Sequence, residues 1–119
     1  MRKIYDLAKK ALAEGRTIYI RGITHYGIIL GTYFDSQAIP FGSYISNIAE
    51  KWGSTVYGEH KCLSPDKINK NSFVFITVNK KATEKAIADE VEAAGIPCVY
   101  GIHDELHECA EYVDSKTFL

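Results

Sequence analysis

The stretch Thr17-Ile-Tyr-Ile-Arg-Gly-Ile-Thr-His-Tyr-Gly27 governs the reading of the whole chain. Its first five residues favour a short strand, and Gly22 breaks that run just before an apolar segment, Ile23 to Phe34, that reads as a helix. Strand, glycine turn and helix in that order present free backbone N–H groups and the positive end of a helix dipole, a pairing suited to phosphate. Set against the G-x-G-x-x-G pattern of dinucleotide-binding turns, the chain reads Gly22-Ile23-Thr24-His25-Tyr26-Gly27, with Thr24 in place of the second glycine.

Upstream, Ile4, Leu7, Ala8, Ala11 and Leu12 recur at helical spacing opposite Lys3, Lys9, Lys10 and Glu14, which predicts an amphipathic opening helix over residues 2–14. Downstream, Ile39 to Ile45 predicts a second strand that ends at Ser46-Asn47, with Pro40 at its start. Residues 48–58 are rich in turn formers and read as a loop packed on the body through Trp52, Val56 and Tyr57. Lys61-Cys-Leu63 reads as a short third strand, and Ser64-Pro65 as the cap and first position of a brief helical turn. Ser72-Phe-Val-Phe-Ile-Thr-Val78 has the near-continuous apolar character of a strand buried on both faces of a parallel sheet.

A helix follows from Lys81 to Ala94, with Ile87, Val91 and Ala94 inward and Gly95 and Pro97 ending it. Cys98 to Ile102 supplies the next strand, and His103 to Tyr112 a terminal helix. The strand-helix-strand unit over 72–102 calls for a right-handed crossover and hence a parallel sheet. The expectation is one α/β domain over residues 1–119, Rossmann-like and three-layered, with a core over 17–102 and a mainly parallel sheet of about 4–5 strands.

Composition narrows the function. The 119 residues are 46% hydrophobic and 24% charged, as in a globular domain, and the net charge of -1 brings no basic surface that would attract nucleic acid. No run approaches the roughly 20 apolar residues of a membrane span, and the N-terminus lacks the apolar core of a signal peptide, so a cytoplasmic location is expected. Cys62, Cys98 and Cys109 are odd in number and widely spaced, which reads as free thiols.

A dinucleotide site places an acid at the end of the second strand to hold ribose hydroxyls; here Ser46-Asn47 stands there. That substitution and Thr24 weaken an ordinary NAD site, although the Thr24 hydroxyl can donate to one phosphate or a sugar and Asn47 can bond a sugar. Gly22 and Gly27 read equally well as residues that merely permit close helix-strand packing. Asn79, ending the strongest strand, either reads a base or sugar or caps the next helix. His25 either meets a phosphate or is simply exposed.

The candidate binding residues are therefore Gly22, Thr24, His25, Tyr26, Gly27, Ser46, Asn47 and Asn79, with no metal site and no catalytic residue assigned. His103 and His107 share a helix face near Glu108 and Cys109, but no fourth ligand has metal spacing and the segment reads as a solvated helix. Asp35 and Asp66 read as isolated, and Glu84, Glu90 and Glu92 as the wet face of their helix. No nucleophile elbow or phosphate loop with lysine is present in the sequence.

The order Ile18-Tyr-Ile-Arg-Gly22, Phe41-Gly-Ser-Tyr-Ile-Ser-Asn47, Tyr57-Gly58, Leu63-Ser-Pro65 and Phe73-Val-Phe-Ile-Thr77 covers about two-thirds of the chain. It resembles the small Rossmann-like domains found beside sugar acyltransferases, sugar-modifying enzymes and FkbM-type methyltransferases in bacterial polysaccharide pathways. The resemblance implies a domain that binds a nucleotide or nucleotide-sugar at the glycine turn, or a docking module without chemistry of its own. As an interaction domain it would meet a second copy or a larger enzyme through the opening helix, Trp52 or Phe118-Leu119. An enzyme using His25 or His103 is the remaining reading, and neither histidine has a partner visible in the sequence.

Overall fold

Alternation of Ile18 and Ile20 with Tyr19 and Arg21 makes the segment Thr17–Arg21 a strand, β1, that pairs on both sides. The computed structural model describes residues 2–117, and side chains over 3–114. The helices are α1 (Arg2–Ala13), α2 (His25–Ser36), α3 (Lys81–Ala93) and α4 (His103–Thr117). The further strands are β2 (Ser43–Ile45), β3 (Thr55–Tyr57), β4 (His60–Leu63), β5 (Ser72–Ile76) and β6 (Cys98–Val99). Together they form a compact α/β unit whose six-stranded sheet has the order β3-β4-β2-β1-β5-β6.

All neighbouring strands are parallel except β3 and β4. Helices cover both faces. Ile18, Ile20, Tyr44 and Phe75 pack with Ile4 and Ala8 of α1, Leu30 and Phe34 of α2 and Leu106 of α4. Val74 and Ile76 pack on the other face against Ile87, Ala88 and Val91 of α3. The two clusters divide the apolar residues of β5 by parity, the signature of a strand buried on both sides.

Three expectations need correction. The sheet has six strands rather than four or five, because residues 48–58, expected as a loop, contain β3. The signal was legible: Thr55-Val-Tyr57 and His60-Lys-Cys-Leu63 are β-prone runs separated by two residues, one of them Gly58 at φ +52°, which is hairpin spacing. Strand lengths were also overestimated. Ile39 and Pro40 lie before β2, and β6 stops at Val99. Finally, Ala94 caps α3 and is exposed, while Ala88 takes its place in the inner stripe.

Candidate functional site

The order in which successive strands are added reverses between β1 and its parallel neighbour β5, so the loops that leave their carboxyl ends diverge and open a crevice. One side of that crevice is a cavity of about 240 Å³ above β1 and β2, walled by Arg21, Gly22, Thr24, Ser46, Asn47 and Lys51 among others. Four of the predicted site residues, Gly22, Thr24, Ser46 and Asn47, thus come together from two segments.

The glycine turn itself is closed by backbone contacts. Gly22 adopts φ +131°, and a Cβ there would lie 3.0 Å from Thr77 Oγ1 and from the Val78 nitrogen. A methyl on Gly27 would run into the Gly22 carbonyl oxygen. Thr24 caps α2: its Oγ1 accepts from the Gly27 N–H at 3.1 Å and donates to the Thr77 carbonyl at 2.6 Å. Its one hydroxyl proton is therefore spent, and the expected donation from Thr24 to a ligand phosphate has no proton left to use. The two glycines serve close helix-strand packing.

In the cavity wall Ser46 Oγ accepts from the Ile48 N–H at 3.1 Å. The remaining predicted residues, Asn79, His25 and Tyr26, are dispersed. Asn79 is exposed and does not cap α3, whose cap position is Lys80. His25 is exposed at the first turn of α2. Tyr26 points away from the cavity toward α4, its ring meeting those of His103 at 4.5 Å and His107 at 5.6 Å edge-on. The two histidines do share a face, as their spacing requires, and that face packs on an aromatic ring.

Arg21 is the residue that sequence reading missed. It closes β1, is only 4% exposed, and alternation turns it to the α3 side, where Ile87 shares its cavity. Its Nη2 donates to Asn47 Oδ1 at 2.9 Å. Among the described residues it has no ion-pair partner. Burial pulls its pKa down from the usual guanidinium value, partly opposed by the field of Glu90. A strand-ending Arg at alternating spacing looks like an exposed end, and only the packing of α3 and the 46–52 segment around it makes it an interior cation.

A larger cavity of about 440 Å³ lies above β5 and β6, lined by Lys81, Glu84, Lys85, Tyr100, Gly101, His103 and Asp104. Glu84 is 3% exposed, contrary to its reading as wet helix surface, because α3 turns its first inner position over the 99–102 segment. One of its oxygens accepts from the Gly101 N–H and the other lies 3.8 Å from His103 Nδ1. His103 Nε2 donates to the Val78 carbonyl at 3.2 Å. His103 does have a carboxylate partner after all, 19 residues upstream on another helix.

Asp35, expected to be isolated, accepts from Tyr57 at 2.8 Å and lies 3.0 Å from His60 Nε2. The β3–β4 hairpin brings both partners to the end of α2. The cysteines are free, and burial pushes the Cys98 and Cys109 thiols up to about 11, so neither is a ready nucleophile at neutral pH. Among the proposed interaction residues, Ile4, Ala8 and Ala11 of α1 are consumed by the core, Trp52 is 45% exposed, and Phe118-Leu119 lies outside the described residues. No helix among the described residues is long and apolar enough to cross a membrane. Comparison with known proteins found no family model, no curated protein and no solved structure that matches the chain.

Proposed function

We propose that the chain is a Rossmann-like module that binds a nucleotide or nucleotide-sugar and has no chemistry of its own. Numbered along the chain, the five parallel strands lie in the order 3-2-1-4-5, the arrangement of doubly wound nucleotide-binding sheets. In such sheets ligands gather at the carboxyl edge beside the point where strand order reverses. The observation that carries the reading is the cavity above β1 and β2, which joins the Gly22 turn to the end of β2.

The site departs from an ordinary NAD site in a definite way. Asn47, at the position of the ribose-binding acid, turns its oxygen to Arg21, so it offers a ligand amide donors rather than a carboxylate. A thermal scan with NAD, NADP, uridine-sugars, coenzyme A and S-adenosylmethionine tests the proposal. At one hundred times its dissociation constant a ligand stabilises by about 2.7 kcal/mol, a shift such a scan resolves. A panel that leaves the melting temperature unmoved overturns it.

A further inference from the structure

We infer that the cavity above β1 and β2 holds a phosphate group on Arg21 and Lys51, at the ends of β1 and β2 rather than at the glycine turn. The identity of the molecule that carries the phosphate rests on the nucleotide reading; the anion subsite itself does not.

Two cations, Arg21 and Lys51, line the cavity, and no aspartate or glutamate does. Arg21 is only 4% exposed, and its side chain donates to a neutral amide oxygen, Asn47 Oδ1. Glu90 acts on Arg21 through its field without forming an ion pair, so the buried cation, held by one neutral acceptor, is incompletely compensated, since a guanidinium has five N–H donors in a planar fork. Because arginine can only donate, Asn47 must turn Oδ1 toward it, which leaves the Asn47 NH₂ as a donor. Lys51 has donors alone, and Ser46 retains its O–H. An acceptor-rich anion matches this set, and planar bidentate recognition of phosphate is what a buried arginine does best.

The glycine turn is the poorer place for the anion. Thr24 has filled one of the helix donors and spent its own proton on Thr77. No helix terminus is needed to explain the Arg21 subsite.

Trp52 supplies the readout. It is the chain's single tryptophan, and its Nε1 donates at 2.8 Å to the carbonyl of Ser46, in the cavity wall. Its emission is followed while the protein is titrated with inorganic phosphate, with uridine and adenosine, and with their monophosphates, alongside a melting scan. The wild type should bind a monophosphate at least about tenfold tighter than its nucleoside, with the gap narrowing as salt rises. Arg21→Met, which keeps the apolar stem volume, should erase the gap. Lys51→Ala, at an exposed position that leaves the fold alone, should reduce it a few-fold.

Equal affinity for nucleoside and monophosphate overturns the subsite while the nucleotide reading stands. So does a phosphate preference that survives in both variants. Arg21-dependent binding of inorganic phosphate, with the nucleotides no tighter, upholds the subsite and overturns the nucleotide reading. If no probe moves either signal, both fall.

Discussion

The cavity above β5 and β6 holds about 440 Å³ and that above β1 and β2 about 240 Å³, and their linings differ in kind more than in size. The larger one holds a carboxylate, Glu84, one of whose buried oxygens, Oε2, has no hydrogen-bond partner among the described residues. Glu84 takes the Gly101 N–H and faces His103, His103 reaches Val78, and Lys85 bonds Asp89 at 3.1 Å. In the smaller one a buried guanidinium meets an amide oxygen and no carboxylate. The larger cavity holds a buried anion beside a histidine, the smaller a buried cation beside a neutral amide. Glu84 meets a backbone N–H and a histidine of the chain, whereas Arg21 meets one amide oxygen and, without an ion pair, the field of Glu90.

Stability measurements on the protein alone test the difference between the two cavities. The largest effect is expected at the turn that opens the smaller cavity. Gly27→Ala should cost about 3 kcal/mol in chemical denaturation, because the added methyl meets the rigid Gly22 carbonyl. Gly101→Ala, in the wall of the larger cavity, has only the Glu84 oxygen nearby at 3.8 Å and should cost about 1–2 kcal/mol for its left-handed φ of +70°. A reversed ranking would show that the helix-strand approach at Gly22 and Gly27 is slack.

Next comes Glu84→Ala, which should cost about 2 kcal/mol by leaving the Gly101 N–H unpaired and His103 without its carboxylate. A loss below about 0.5 kcal/mol would mean that Glu84 is not the structural group its contacts suggest.

The smallest effect sharpens the contrast most. Arg21→Met should leave stability within about 1 kcal/mol of the wild type, or raise it, since exchanging an incompletely paired buried cation for a hydrophobic residue is often neutral or favourable. A loss above about 2 kcal/mol would make Arg21 a structural residue like Glu84 and remove the difference between the two cavities.

Much of the architecture was legible because it depends on local pattern. Alternation in Thr17–Arg21, the continuous apolar run from Ser72 to Ile76, and the helical stripes of α1 and α3 each need a buried face wherever the chain goes, and each formed near its predicted place. Gly22 and Gly27 were legible as a turn for the same reason. The β3 strand was missed although its hairpin spacing was present, since Gly53, Gly58 and Ser54 nearby gave a stronger loop signal.

By itself, then, the sequence determined a mainly parallel α/β unit with a glycine turn between its first strand and the helix that follows, and it located Ser46 and Asn47 at the end of the second strand. Which charged residues are buried was decided by the tertiary structure. Arg21 and Glu84 sit at ordinary strand and helix positions, and neither carries a motif. Burial of each depends on a segment distant in the chain, residues 46–52 and α3 for Arg21 and the 99–102 turn for Glu84. Periodicity reports which face of an element is apolar, but the partner of a buried charge is set by how elements meet, and that is where the two cavities part.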